Sequence, residues 1–276
     1  RLKANDSTNP VAVGDRVRFE TQPEDLGEVT LTNPALITEV LDRKNYVVRK
    51  STNLSRQSHV IAANIDMAFA VVTLYFPEVK LPFLDRMLVT CEVYGVPVTI
   101  LLNKVDLYRQ EAPETVENFI NIYTRAGYNV VETSAKTGEG IEELRKICDG
   151  KVCLFSGESG VGKSSLIKAL DPTLDPKIGK ISVAHLQGKH TTSLYEMYEL
   201  ASGGAVIDTP GLRGFGLVNL EKEEIARYFP EMLRAAEGCR FTPCTNPHEP
   251  GCAVKEAVES GEISAERYSS YLGMIE

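Results

Sequence analysis

The chain has 276 residues, 43% hydrophobic and 25% charged, the proportions of a folded globular protein with room for two or three domains. Its net charge of −8 excludes a general nucleic-acid binder acting through its overall field, so any RNA contact must come from a local patch. No apolar run reaches transmembrane length and no secretory pattern is present, so a cytoplasmic protein without a membrane partner is expected.

The opening "RLKANDSTNPVAVGD" starts at Arg1, not Met, and reads like the interior of a domain, so preceding residues are expected. Residues 11–50 alternate apolar and polar in short runs, "DRVRFE", "ALITEVL" and "NYVVRK", separated by Asn33-Pro34 and "DRKN". This pattern predicts a small antiparallel β-domain over residues 1–60, in the manner of a barrel. Residues 1–60 hold nine Lys or Arg against eight Asp or Glu, while the rest of the chain is strongly acidic. Arg43, Lys44, Arg49, Lys50 and Arg56 surround Tyr46, a mix that suits an oligonucleotide surface or a solvated basic edge strand.

From residue 64 the pattern changes. "IDMAFAVVTL", "VPVTILLN", "NVVETSA", "KVCLFSG" and "GAVIDTPG" read as buried strands. Between them "FLDRMLVTCEVYG", "APETVENFINIYTRAG" and "GIEELRKICD" read as helices, which predicts a mostly parallel sheet covered on both faces over residues 61–218. Residues 219–276 turn helical and acidic. Cys91, Cys148 and Cys153 read as buried reduced thiols, whereas the cluster Cys239, Cys244 and Cys252 suggests a metal.

Five motifs fall at predicted strand ends. "GESGVGKS" follows "KVCLF" and precedes "SLIKAL", the strand–loop–helix context of a phosphate loop. Gly157, Gly160 and Gly162 let the backbone N–H groups of Gly157, Glu158, Ser159, Gly160, Val161, Gly162, Lys163, Ser164 and Ser165 form an anion nest. Lys163 is expected to bridge the terminal phosphates and Ser164 to bind Mg²⁺. "NKVD" supplies Asp106, a carboxylate able to accept from guanine N1 and N2, with Asn103 holding neighbouring loops and the Lys104 stem covering the base. Ser134, Ala135 and Lys136 of "TSAK" can close over guanine O6. In "DTPG", Asp208 can hold Mg²⁺ through a water and the Gly211 N–H can meet the γ-phosphate; "GKHTT" offers Thr191 or Thr192 to Mg²⁺.

The motifs run guanine reader, guanine lid, phosphate loop, first switch, second switch, a circular permutation of the usual GTPase order. This order, with "STNPVAVGDRV", "NYVVRKS", "GKHTT" and "HEPGCAVKEAV", resembles the ribosome small-subunit-dependent GTPase family (RsgA, or YjeQ) over essentially the whole chain. The resemblance implies an N-terminal OB-fold, a permuted GTPase core and a C-terminal zinc domain. It also implies late maturation of the small ribosomal subunit, with rRNA and the subunit as partners, GTP and GDP as ligands, and hydrolysis stimulated by the subunit; a monomer is expected. A nucleotide-gated RNA-binding checkpoint with incidental turnover is the alternative. Connectivity puts the second switch directly before the C-terminal domain, so a γ-phosphate ordering that switch is expected to reposition an RNA-facing domain.

One structural Zn²⁺ is expected on Cys239, Cys244, His248 and Cys252. The family's ligand His lies two residues after the second Cys, where this chain has Asn246; a Cys₃ site with an outside ligand and plain reduced cysteines are the competing readings. Many GTPases place a water-orienting Gln after the second-switch glycine, but Leu212 stands here. His190, immediately before Thr191-Thr192, is therefore the candidate for orienting water, with His185 a weaker one; the resemblance points to the same histidine.

Overall fold

The computed structural model describes residues 11–21, 35–50, 58–176, 195–209, 220–239 and 251–276. Arg56, His185, His190, Thr191, Thr192, Gly211, Leu212, Cys244, Asn246 and His248 lie outside the described residues. Four strands come first: β1 (Val17–Glu20), β2 (Leu36–Val40), β3 (Tyr46–Lys50) and β4 (Ser58–Ala63). They form two antiparallel pairs, β1 with β2 and β3 with β4, and a Val13–Ala62 bridge joins the segment before β1 to β4. Closure into a barrel is not seen among the described residues.

A domain boundary at residue 60 falls inside β4, because that strand's apolar end serves two cores at once. Ile61 and Ala62 pack in one cluster with Val47 of β3 and with Leu84 and Leu88 of the next helix. Polar clasps reinforce the join. The Asn45 side chain donates to Ile65 O and accepts from Ile65 N, both at 2.7 Å. Asp66 pairs with Lys44 and accepts from Val152 N at 2.8 Å.

The central sheet has six strands in the order β7-β6-β5-β8-β10-β9. These are β5 (Met67–Val72), β6 (Val98–Asn103), β7 (Asn129–Thr133), β8 (Val152–Ser156), β9 (Glu196–Glu199) and β10 (Ala205–Asp208). All neighbours pair parallel except β9, an antiparallel edge strand that the sequence pattern did not announce. Its four residues, "EMYE", begin and end in glutamate and are mostly exposed, so they carry no buried-strand signature.

Helices α1 (Leu81–Val93), α2 (Pro113–Ala126), α3 (Ile141–Cys148) and α4 (Lys163–Leu170) cover the sheet. The two-residue period of β5 sorts its side chains. Ala68, Ala70 and Val72 face Leu84, Met87, Phe119 and Tyr123 of α1 and α2. Phe69 and Val71 face Leu144, Leu166 and Ile167 of α3 and α4. Cys91, Cys148 and Cys153 are buried free thiols, as expected. The chain runs outward from β5 through β6 to β7, then returns to the other side of β5 as β8. That reversal opens a crevice at the strands' C-terminal ends, the place where open α/β sheets bind ligands.

The C-terminal region holds a 3-10 segment (Lys222–Tyr228), α5 (Pro230–Ala236), α6 (Ala253–Glu259) and α7 (Ala265–Ile275). The helical run around residue 229 breaks because a proline disfavours the α conformation in the residue before it; Phe229 is extended, with φ −107 and ψ 102. This region docks on α1 and α2 through a buried ion triad. Arg267 of α7, 1% exposed, donates from Nη1 to Asp85 of α1 at 2.8 Å. Its Nε and Nη2 donate to Glu231 of α5 at 2.6 and 3.1 Å. Tyr123 OH of α2 donates to Asp85 at 3.0 Å, and the Phe229 ring lies 4.4 Å from the guanidinium carbon. Burial alone would lower the guanidinium's pKa, but the two carboxylates hold it raised, so the charge persists. Any repositioning of this domain must carry α1 and α2 with it or break the triad.

Candidate functional site

The phosphate loop occupies the crevice between β8 and α4. Gly157 is required by close approach: a Cβ there would stand 2.2 Å from the Val71 carbonyl oxygen. Gly162 is required twice, by a φ of +96 and by the Asn103 amide nitrogen 2.5 Å from where its Cβ would be. Lys163 is 7% exposed and donates to the Gly157 and Glu158 carbonyls at 2.7 and 2.9 Å. Burial pulls its pKa down, opposed by the Asp208 and Glu158 charges. Ser164 follows, half-buried at the start of α4.

The "NKVD" residues come off β6 beside this loop and are tied to it. Asn103 Nδ2 donates to the Val161 carbonyl at 2.8 Å, and Asn103 Oδ1 accepts from Thr133 Oγ1 at 3.2 Å. Lys104 adopts a left-handed backbone, φ +63, and its ammonium donates to the Gly160 and Phe76 carbonyls at 2.6 and 2.7 Å. Asp106 is exposed and accepts from Ser134 Oγ at 2.7 Å, so "NKVD" and "TSAK" meet through their side chains. Ser134 Oγ also accepts from Thr137 N at 3.1 Å, while Ala135 and Lys136 sit in the open turn. Side-chain hydrogen bonds thus join "NKVD" both to the phosphate loop and to "TSAK".

Asp208 ends β10 beside the phosphate loop. Its Oδ1 is buried with no hydrogen-bond partner among the described residues, and burial raises its pKa against the opposing charge of Lys163. A buried acceptor left open beside an anion nest fits a Mg²⁺-bound water. The neighbouring Thr209, which the sequence reading passed over, anchors this end of β10 by donating from Oγ1 to the Phe155 carbonyl at 2.8 Å. Thr73 and Tyr108 were passed over as well. Thr73 Oγ1 donates to the Pro77 carbonyl at 2.6 Å, and Tyr108 OH donates to the Asn103 carbonyl. Neither lies in a motif, so only proximity identifies them.

The basic patch of the β-domain is partly paired within the fold. Arg43 grips both oxygens of Asp15, at 2.6 and 2.7 Å, and Lys44 pairs with Asp66. Two of the expected cations are thus already matched by carboxylates within the fold, and Tyr46 packs its ring 5.3 Å from that of Tyr94. Arg49 and Lys50 lie on β3, opposite His59 and Ser58.

Two of the four expected zinc ligands are described. Cys252 is buried and Cys239 is partly buried against the same apolar cluster as Phe229 and Tyr271. A Cβ on Gly238 would come within 3.3 Å of Ala253 Cβ, so the backbone brings the neighbours of both cysteines together. Thiolate sulfur is a donor that tetrahedral Zn²⁺ takes, so the chemistry of Cys239 and Cys252 fits the ion. No metal-ligand cluster of three or more groups forms among the described residues. No helix among them is long and apolar enough to cross a membrane.

Comparisons with known proteins follow this geometry. A family model described as RsgA GTPase matches residues 40–218. The chain is 48% identical to small ribosomal subunit biogenesis GTPase RsgA 2 of Bacteroides thetaiotaomicron, over all of this chain and 86% of that protein. It is 49% identical to the RsgA of Bacteroides fragilis over the same shares. Its fold resembles the crystal structure of YjeQ from Thermotoga maritima, with a TM-score of 0.75 and 36% identity, over 96% of this chain and 83% of that one. The circularly permuted GTPase YloQ matches with a TM-score of 0.70 and 28% identity, over 97% and 80%.

Proposed function

The chain belongs to the RsgA family of small ribosomal subunit biogenesis GTPases, and we propose that it binds the subunit's rRNA and hydrolyses GTP in response to it. The observation that supports guanine chemistry most is the junction of reader and cradle. Asn103 and Lys104 each bond a phosphate-loop carbonyl, and Asp106 bonds Ser134. Among the described residues, base and phosphate recognition are therefore joined in one unit, which lowers the ordering cost of that part of the site when GTP arrives.

In this reading Asp106 accepts from guanine N1 and N2, and Ser134, Ala135 and Lys136 close over O6. The N–H groups from Gly157 to Ser165, with Lys163, hold the phosphates. Ser164 and either Thr191 or Thr192 would hold Mg²⁺, with Asp208 reaching it through water and Gly211 meeting the γ-phosphate. Mg²⁺ when bound supplies charge neutralisation at the β- and γ-phosphates. Cys239, Cys244, His248 and Cys252 would hold the structural Zn²⁺. Of the basic patch, Arg43, Lys44, Arg49 and Lys50 are the candidates for rRNA, with Arg43 and Lys44 also engaged in ion pairs within the fold.

Asp106→Asn keeps the Ser134 contact but turns one guanine acceptor into a donor. Loss of a charged base contact should weaken GTP by about 1.5–3 kcal/mol and favour xanthosine triphosphate. Competition titrations check this; wild-type protein binding ATP as tightly as GTP would defeat the assignment.

His190 orients the attacking water once the subunit is bound, since Leu212 offers no hydrogen bond. His190→Ala should retain GTP binding and subunit association, lose most of the subunit-stimulated rate, and leave a low intrinsic rate little changed. Phosphate release with and without purified small subunits tests both the residue and the function. If the wild-type rate does not rise with subunits, the checkpoint reading takes over. If the stimulated rate survives in His190→Ala, another group positions the water.

A further inference from the structure

The loop between β5 and α1, "TLYFPEVK", lies beside the nucleotide crevice and has no role in the chemistry above. Phe76 at its tip is the most exposed large apolar side chain among the described residues, 79% exposed. Its backbone is left-handed, φ +58, a strained conformation for a bulky residue that persists only where surrounding bonds impose it. Those bonds come from the guanine-reading turn. The Lys104 ammonium donates to the Phe76 carbonyl at 2.7 Å while also holding Gly160. The Tyr75 ring meets Tyr108 edge-on at 5.8 Å, and Tyr108 in turn bonds the Asn103 carbonyl. On the other side the buried Thr73 hydroxyl fastens the Pro77 carbonyl at 2.6 Å. An apolar ring is thus held out into solvent by a backbone that costs energy to maintain and is fastened at both ends.

We propose that Phe76 is a stacking contact for an unpaired base of the small-subunit rRNA, presented by the residues that form the guanine-reading turn. This rests on the rRNA-binding reading above. A base needs only one exposed π-face, which a single ring provides. An apolar protein partner would need a broader nonpolar patch around its anchor. Here the flanking exposed residues are Tyr75, whose ring is engaged edge-on with Tyr108, and the charged Glu78 and Lys80. Lys80 can meet the backbone phosphate, and Glu78 is the opposing charge that a stacked base must tolerate. Because Lys104 bridges Phe76 and the phosphate loop, ring placement and nucleotide occupancy share one side chain.

The test measures association of the full chain, loaded with a non-hydrolysable GTP analogue, with purified small ribosomal subunits. Wild type is compared with Phe76→Ala, Phe76→Leu and Phe76→Trp. Loss of one stacked base should weaken association about tenfold in both the Ala and Leu variants. Trp, which keeps the π-face, should hold wild-type affinity or exceed it. GTP affinity without subunits should be the same in all four, which separates this contact from damage to the nucleotide site. If Ala matches wild type, the contact does not exist. If Leu restores binding, the partner is an apolar protein pocket and the base assignment fails. Both results require wild-type binding and leave the rRNA reading standing; a wild type that does not associate removes that reading and this inference with it.

Discussion

Lys163→Ala should lower GTP turnover by about 10²–10³, the usual cost of removing one preorganised charge from a phosphoryl-transfer site. Lys163 is the buried cation at the mouth of the loop, held on the Gly157 and Glu158 carbonyls. Without it, the phosphate charge would be offset by backbone dipoles and any bound Mg²⁺ alone, beside the Asp208 carboxylate. Phosphate-release kinetics and titration with a fluorescent GTP analogue give the rate and the affinity. A second readout follows from Asp208, whose pKa is raised by burial and held back by Lys163. Removing Lys163 raises it further, so Asp208 protonates at a higher pH than in wild type. Residual turnover should then fall off at a higher pH as the solution is acidified. Near wild-type, Mg²⁺-dependent turnover in Lys163→Ala would sink the phosphate-loop assignment.

Arg267→Ala should destabilise the protein by about 3–5 kcal/mol, because it strands two carboxylates in an apolar interface. Asp85 is 0% exposed and Glu231 6%, so neither reaches enough water to recover the lost partner. Asp85→Asn should cost less, since it leaves the Arg267–Glu231 pair at 2.6 Å intact. Chemical denaturation of the two variants against wild type measures both costs. A loss under about 1 kcal/mol in Arg267→Ala would mean that the triad is not what fastens the C-terminal helices to α1. The result also bears on signalling. The permuted connectivity joins the second switch to this domain by a short link, but the triad fastens the domain to α1 and α2. If the triad is as strong as its burial implies, nucleotide-driven motion of that domain takes α1 with it. The N-terminal half of α1 lies beside the phosphate loop, at Phe83, Leu84 and Met87.

Much of the core was legible because its signals are local. Five buried strands announced themselves by apolar runs, and the phosphate loop, "NKVD", "TSAK" and "DTPG" each sat at such a run's end. The permuted order could be read directly along the chain. What escaped was short, polar or dependent on partners. β9 was missed because an exposed edge strand of four residues carries no apolar alternation. β4 was missed because "SHVIAA" falls between the alternation that ends at residue 50 and the buried run that begins at Ile65, and its own apolar residues are consecutive rather than alternating. The break near Phe229 was missed although Pro230 marked it, because the flanking residues read as helical on both sides.

The candidate site divides in the same way. The sequence by itself determined which residue types are available to guanine and phosphate: the Asp106 carboxylate, the Lys163 ammonium and the loop glycines, each required by chemistry that depends on spacing of a few residues. Only the tertiary structure decided that two of the patch cations are paired within the fold. Arg43 and Lys44 look like an RNA surface in one dimension, yet Asp15, 28 residues earlier, and Asp66, 22 residues later, claim them. Only the fold could set Arg267 against Asp85, 182 residues away in the chain. Charge pairing depends on distance in space, and a sheet whose strand order departs from chain order brings together groups that the sequence keeps far apart.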